Sequence, residues 1–230
     1  MFAVRPLVNG LVDSLSIGVG YLPIAFSFGL AALQANLPPL TAVLISGIVF
    51  AGASQFALIA LVAAGGSLLS VVSTVLLMNV RHIFYGPSVI AKLGNGRPSL
   101  PLPLLAFGLT DEVFASAVGK LQLISPPERE HWYVGLQLGA YSAWVLGTAL
   151  GAFLGQQLTS HSAFLRDSLA FVLPALFLSL LLEINGNTQR RVLVASAVAT
   201  AALIPLIPAY LAMAVGMAAG AALGYRRATQ

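Results

Sequence analysis

A chain of 230 residues with 58% hydrophobic and 8% charged side chains departs far from the roughly 45–50% and about 25% of soluble domains. Its net charge of +4 sits in loops and at the ends, with no clustered basic face for nucleic acid, and the lack of cysteine excludes disulfides, thiolate chemistry and Cys-based metal sites. Residues 14–80 carry no charged side chain at all, a pattern that suits a polytopic α-helical membrane protein. The length holds about seven or eight spans of roughly 20 residues, read as one transmembrane domain over 1–230. The first apolar run lacks an A-x-A cleavage site, so it reads as an uncleaved span rather than a signal peptide.

In chain order the apolar windows predict spans at about 10–33, 40–63, 67–90, 101–121, 133–157, 165–184, 190–205 and 208–225. Eight segments are expected, with seven as the alternative, because Pro205 and Pro208 split a stretch that also reads as a re-entrant hairpin. With the N-terminus inside, Arg5, Lys120, Arg129, Arg190, Arg191, Arg226 and Arg227 fall on inner loops, and Lys92, Arg97 and Arg166 on outer ones. That bias places both termini inside. An echo, D-S-L…L-P-x-x-F, recurs at 13–26 and 167–177. Segments one and six would then run oppositely, as in an inverted repeat of interrupted helices around a midplane site; chance competes, since Leu, Pro and Phe abound.

Polar residues inside the spans are the candidate site, because each charge costs roughly 2.5–3.5 kcal/mol at a helix centre on insertion scales. Gly18, Gly20 and Pro23 in the first span predict a kink or unwinding that frees backbone groups for a ligand, or else a packing kink. Gln55, within F-A-G-A-S-Q-F, should face inward, as a substrate contact or a plain interhelical hydrogen bond. Asn79, His82 and Gly86 share a helical face, while Arg81 points away, either to pair with an acid or to snorkel. Asp111 and Glu112 interrupt the fourth span, as Arg81's partner and a proton carrier, or as a helix N-terminus favoured by the dipole. No second histidine stands at metal-ligand spacing, so neither a metal nor another cofactor is expected. Glu183, Tyr141 and Trp144 are weaker candidates, the two aromatics reading as packing residues or interface anchors.

Together Y-L-P-I-A-F-S-F-G (21–29), F-A-G-A-S-Q-F (50–56), M-N-V-R-H-I-F-Y-G (78–86), L-T-D-E-V-F-A (109–115) and L-P-A-L-F (173–177) resemble the AzlC family, the large subunit of bacterial branched-chain amino acid exporters. The resemblance implies efflux of leucine, isoleucine and valine, often with methionine, driven by the proton-motive force across the inner membrane. It also implies a small AzlD-type partner subunit. The substrate site is then expected at Gly20, Pro23, Gln55, Asn79 and Pro174, with Arg81, His82, Asp111 and Glu112 coupling transport to protons. An intramembrane enzyme is disfavoured, since the chain has no Cys, G-x-S-x-G or H-E-x-x-H.

Overall fold

The computed structural model describes residues 4–94, 98–160, 162, 164, 167–168 and 187–228, and every regular element among them is helical. They form α1 (Val4–Asp13), α2 (Leu15–Gln34), α3 (Pro39–Val49), α4 (Gly52–Ala63), α5 (Leu68–Asn79) and α6 (His82–Leu93). There follow α7 (Leu102–Ala106), α8 (Asp111–Lys120), α9 (Arg129–Ser160), α10 (Asn187–Leu203) and α11 (Ala209–Ala228).

The spine is α1–α2 laid against α9 in parallel. A Cβ added at Gly10 would strike the Trp132 carbonyl, one at Gly29 the Thr148 carbonyl, and one at Gly151 the Phe26 carbonyl. Numbers rise together along both helices, and backbone meets backbone along the whole pair. In lipid no hydrophobic force draws helices together, so close packing of small residues supplies the attraction. The glycines of α9, at 135, 139, 147, 151 and 155, stand four or eight apart and so share one face.

Residues 40–63 do not cross. Phe50 adopts a left-handed conformation (φ 40°), which ends α3 as a helix C-terminus commonly ends and turns the chain back. Gln55 Nε2 then reaches Ser46 Oγ at 2.9 Å, although nine residues of straight helix span about 13.5 Å. Tyr21 packs edge-on to Phe50 (6.4 Å between ring centres) and Phe28 to Phe56 (5.4 Å), so α4 retreats toward the C-terminal end of α2. The expected second span is a re-entrant hairpin. Its halves are 11 and 12 residues long, about 17 Å each, too short to cross about 30 Å of hydrocarbon.

The chain turns at Gly65 (φ 72°), and α5 then runs antiparallel to α4, bringing Asn79 to Ser54. α5 and α6 together cross the fold as Leu68–Leu93. At Val80–Arg81 the backbone tightens to three-residue spacing, with Val80 N–H on the Leu77 carbonyl and Phe84 N–H on that of Arg81, a common mark of a functional joint.

Residues 101–121 do not cross either. At one foot Leu100 N–H and the Ser99 hydroxyl bond to Glu130 at the start of α9. At the other foot Lys120 Nζ lies 2.7 Å from Asp13 Oδ1 at the end of α1. Between them the chain turns near Gly108, whose Cα packs on Gln137 in α9. This second hairpin therefore enters from the α1 end, opposite to α3–α4. Three described helices are long and apolar enough to cross a membrane, at Leu15–Gln34, Leu68–Leu93 and Pro126–Leu158; the hairpins alternate with them.

Three expectations are corrected here. The first span does not unwind at Gly20 and Pro23: α2 is helical throughout, and both residues lie on its exposed outer face. Two of the expected spans are hairpins. Lys92, expected opposite to Lys120 and Arg129, shares their end, because Arg129 Nη1 donates to the Lys92 carbonyl at 3.0 Å. Arg97, Arg166, Pro174, Glu183 and most of the second D-S-L echo lie outside the described residues. α10 and α11 pack antiparallel through Gly216 and Gly220 against Thr200 and Ser196, and α11 meets α5.

Candidate functional site at the hairpin tips

The two tips meet halfway along α2 and α9, around Tyr21, Tyr141 and Trp144. Tyr21 packs edge-on to Trp144 (5.0 Å), Phe50 of the first tip lies 4.9 Å from Tyr141, and Phe107 of the second lies 5.6 Å from the same ring. These aromatics fill the space where both hairpins stop short.

On the first tip, breaking the helix strands polar backbone groups in apolar surroundings, and nearby side chains satisfy them. Gln55 is fully buried. Its Oε1 accepts from Ala51 N–H at 3.2 Å and from Trp144 Nε1 at 2.9 Å. Its Nε2 donates to Ser46 Oγ, which shares a 2.6 Å hydrogen bond with Thr148. Ser54 donates to the Ala51 carbonyl (2.9 Å) and accepts from Asn79 Nδ2 (3.1 Å). Gln55 and Asn79 thus hold the tip together without a formal charge. Tyr141 adds a hydrogen bond to the Gly47 carbonyl.

On the second tip Thr110 caps α8, its hydroxyl accepting from Val113 N–H, as threonine commonly does at a helix start. Asp111 and Glu112 therefore occupy the first turn, where the helix dipole favours negative charge. They face different partners. Arg81 Nη2 lies 2.9 Å from Asp111 Oδ2, with both side chains nearly half exposed, and the Tyr85 hydroxyl donates to Asp111 Oδ1 at 2.7 Å. Tyr85 in turn stacks on Phe114, which orients its hydroxyl. Glu112 Oε2 accepts from the Tyr21 hydroxyl at 2.6 Å, and Tyr21 shares a further bond of 2.7 Å with Thr110. A chain of contacts so runs from Glu112 through Tyr21 and Trp144 to Gln55.

The sequence-predicted residues divide accordingly. Gln55, Asn79, Arg81, Asp111 and Glu112 converge on the tips; half-buried His82 sits beside them, its ring edge on Tyr85 (5.6 Å). Gly20 and Pro23 face away, and Pro174 is not described. Among the described residues no group of three or more His, Asp or Glu is disposed to hold a metal. Sequence reasoning passed over Tyr21 and Thr110 and ranked Trp144 only as a weaker candidate. The available signal was the polar end of each: a buried phenol or indole usually needs a partner.

A family profile described as AzlC protein matches residues 16–158, the stretch from α2 through α9. Escherichia coli inner membrane protein YgaZ is 40% identical over 93% of this chain and 87% of its own length. An uncharacterized membrane protein of Archaeoglobus fulgidus is 42% identical over 84% of this chain and 83% of its own. The Bacillus subtilis branched-chain amino acid transport protein AzlC is 26% identical over 74% of this chain and 64% of its own. No solved structure matches the chain.

Proposed function

The chain belongs to the AzlC family and is a multi-pass protein of the inner membrane, and from that premise we propose that it exports branched-chain amino acids, with methionine as a further substrate, by proton antiport. The observation that carries this reading is the pair of opposed tips. The first-turn amides of α4 have no acceptor within their own helix and form its positive end. The first turn of α8 carries Asp111 and Glu112. A zwitterion admitted between such ends when the aromatics part would set its carboxylate toward α4 and its ammonium toward the acids, and the same aromatics would suit an aliphatic side chain.

In this reading Arg81 pairs with Asp111, and Glu112, hydrogen-bonded to the Tyr21 hydroxyl, carries the coupled proton. Gln55 and Asn79 fix the first tip, while His82 stands against Tyr85, whose hydroxyl binds Asp111. The name of the Bacillus relative supports the substrate class; the direction of transport rests on the resemblance, as does a small AzlD-type partner subunit. The whole chain acts as a single transporter domain in this account.

Cells that lack their own exporter and are fed leucine-, isoleucine-, valine- or methionine-containing dipeptides test it. Expression of the chain, with and without the small subunit, should lower the intracellular amino acid, and an uncoupler should restore it. Unchanged levels with both subunits present in the membrane would discard the substrate assignment.

A further inference from the structure

At the α1 end of the fold, remote from the tips, a cavity of about 470 Å³ lies between α1, the end of α8 and the start of α9. Its walls are of two kinds. Asp13, Lys120 and Glu128 supply charge, whereas Val12 and Leu123 supply apolar surface, with the buried Trp132 behind them. The Asp13 carboxylate uses one oxygen for Lys120 (2.7 Å) and the other for Trp132 Nε1 (2.9 Å). The ion pair is open to solvent, with the Lys120 side chain about half exposed and that of Asp13 about a third. An anion and a cation of matched reach, beside an apolar wall, are what an aliphatic amino acid presents in mirror image.

We infer that this cavity is a loading site for aliphatic amino acid zwitterions, in which the ligand's ammonium binds Asp13, its carboxylate binds Lys120, and its side chain rests on Val12 and Leu123. The inference rests on the export reading above and names where the substrate is first held. The location fits that role: Lys92, Lys120 and Arg129 gather at this end, which the positive-inside rule assigns to the cytoplasm. Binding also has a structural consequence. The Asp13–Lys120 pair ties the returning arm of the second hairpin to α1. A ligand that replaces each partner with its own charge unties that arm, while the other arm stays held through Glu130. Loading and loosening of the hairpin are then one event.

Because the chain contains no cysteine, Leu123→Cys introduces a single thiol on the cavity wall. Its labelling by a membrane-impermeant maleimide in inside-out vesicles reads occupancy without requiring transport. Leucine should slow labelling severalfold and aspartate should not, and the protection should persist when Arg81→Ala disables the central site. Lys120→Gln should abolish the protection and raise the efflux KM for leucine about tenfold, the loss of one charge-assisted contact. Cells that export leucine while their vesicles show no protection would overturn the loading site and leave the export reading standing. Protection lost with Arg81→Ala but kept with Lys120→Gln would overturn it as well, since the central site alone would be sensed. Neither export nor protection would overturn both. Leu123→Cys keeps Asp13 and Lys120 native, so a failure of Lys120→Gln to reach the membrane does not blunt the test.

Discussion

The two re-entrant hairpins solve one problem in opposite ways. Both enter a membrane part-way, both must satisfy a broken helix at depth, and both rest on α9. The α3–α4 tip does so with neutral, fully buried groups: Gln55, Ser46 and Thr148 form one chain of hydrogen bonds, Ser54 bonds to the Ala51 carbonyl, and each of the four is at most 1% exposed. The α7–α8 hairpin uses charge, with Asp111 on Arg81 at its tip and Lys120 on Asp13 at its foot, and both pairs are partly exposed. Buried neutral networks are costly to open because every group loses its partner at once. Exposed ion pairs contribute little and exchange partners readily. The first hairpin is held at its tip by buried neutral bonds, the second at tip and foot by partly exposed ion pairs.

That contrast can be broken at either hairpin. The largest effect is expected from Gln55→Leu, which leaves Ala51 N–H and Trp144 Nε1 without an acceptor and should cost about 3 kcal/mol of stability. Thermal unfolding in detergent measures it, and a loss below about 1 kcal/mol would mean that the first tip is not held by this network. Next comes Arg81→Ala, which should lower leucine efflux about thirtyfold by removing the cation paired with Asp111, with protein levels in the membrane unchanged. Full activity would remove Arg81 from the mechanism.

Glu112→Gln should reduce efflux about tenfold, and the residual flux should no longer respond to an uncoupler. Efflux that still follows the proton gradient would move the proton carrier elsewhere. The smallest effect is expected at the glycines that let each tip approach α9. A Cβ at Gly52 falls 2.9 Å from Trp144 Cη2, and one at Gly108 falls 2.7 Å from Gln137 Cβ, so Gly→Ala at either should cost about 1 kcal/mol. Amide hydrogen exchange should then rise locally around residues 50–55 in the first case. In the second it should rise along the whole of α8, if that hairpin opens as a unit.

Much of this was legible in the residues. The uncharged run over 14–80, the tight spacing of turn residues and the cost of an ionised group in lipid identify a polytopic helical protein with a polar site. They pick out Gln55, Asn79, Arg81, Asp111 and Glu112, because nothing apolar tolerates them without a reason. The turn residues were also in view: Pro38-Pro39 stands at the start of α3, and Gly65-Gly66 lies between α4 and α5. Hydropathy failed at depth. It reports how apolar a segment is and not whether the segment continues or returns, so two hairpins passed as spans and Lys92 was assigned to the wrong side. The G-x3-G spacing in α9 was readable as a close-packing face and was overlooked.

By itself, then, the chain determined its solvent, its helices and the residue types of its site, since those follow from local composition and from the free energy of placing each group in lipid. Only the tertiary structure decided which breaks matter. Pro23, the strongest local breaker in α2, is absorbed within a continuous helix, whereas Phe50, with no breaking tendency of its own, reverses the chain. The difference is long-range. Trp144 and Ser46 hold Gln55 over the buried Ala51 amide that the helix break frees, and a reversal at membrane depth survives only where such distant partners supply the hydrogen bonds that water would otherwise give.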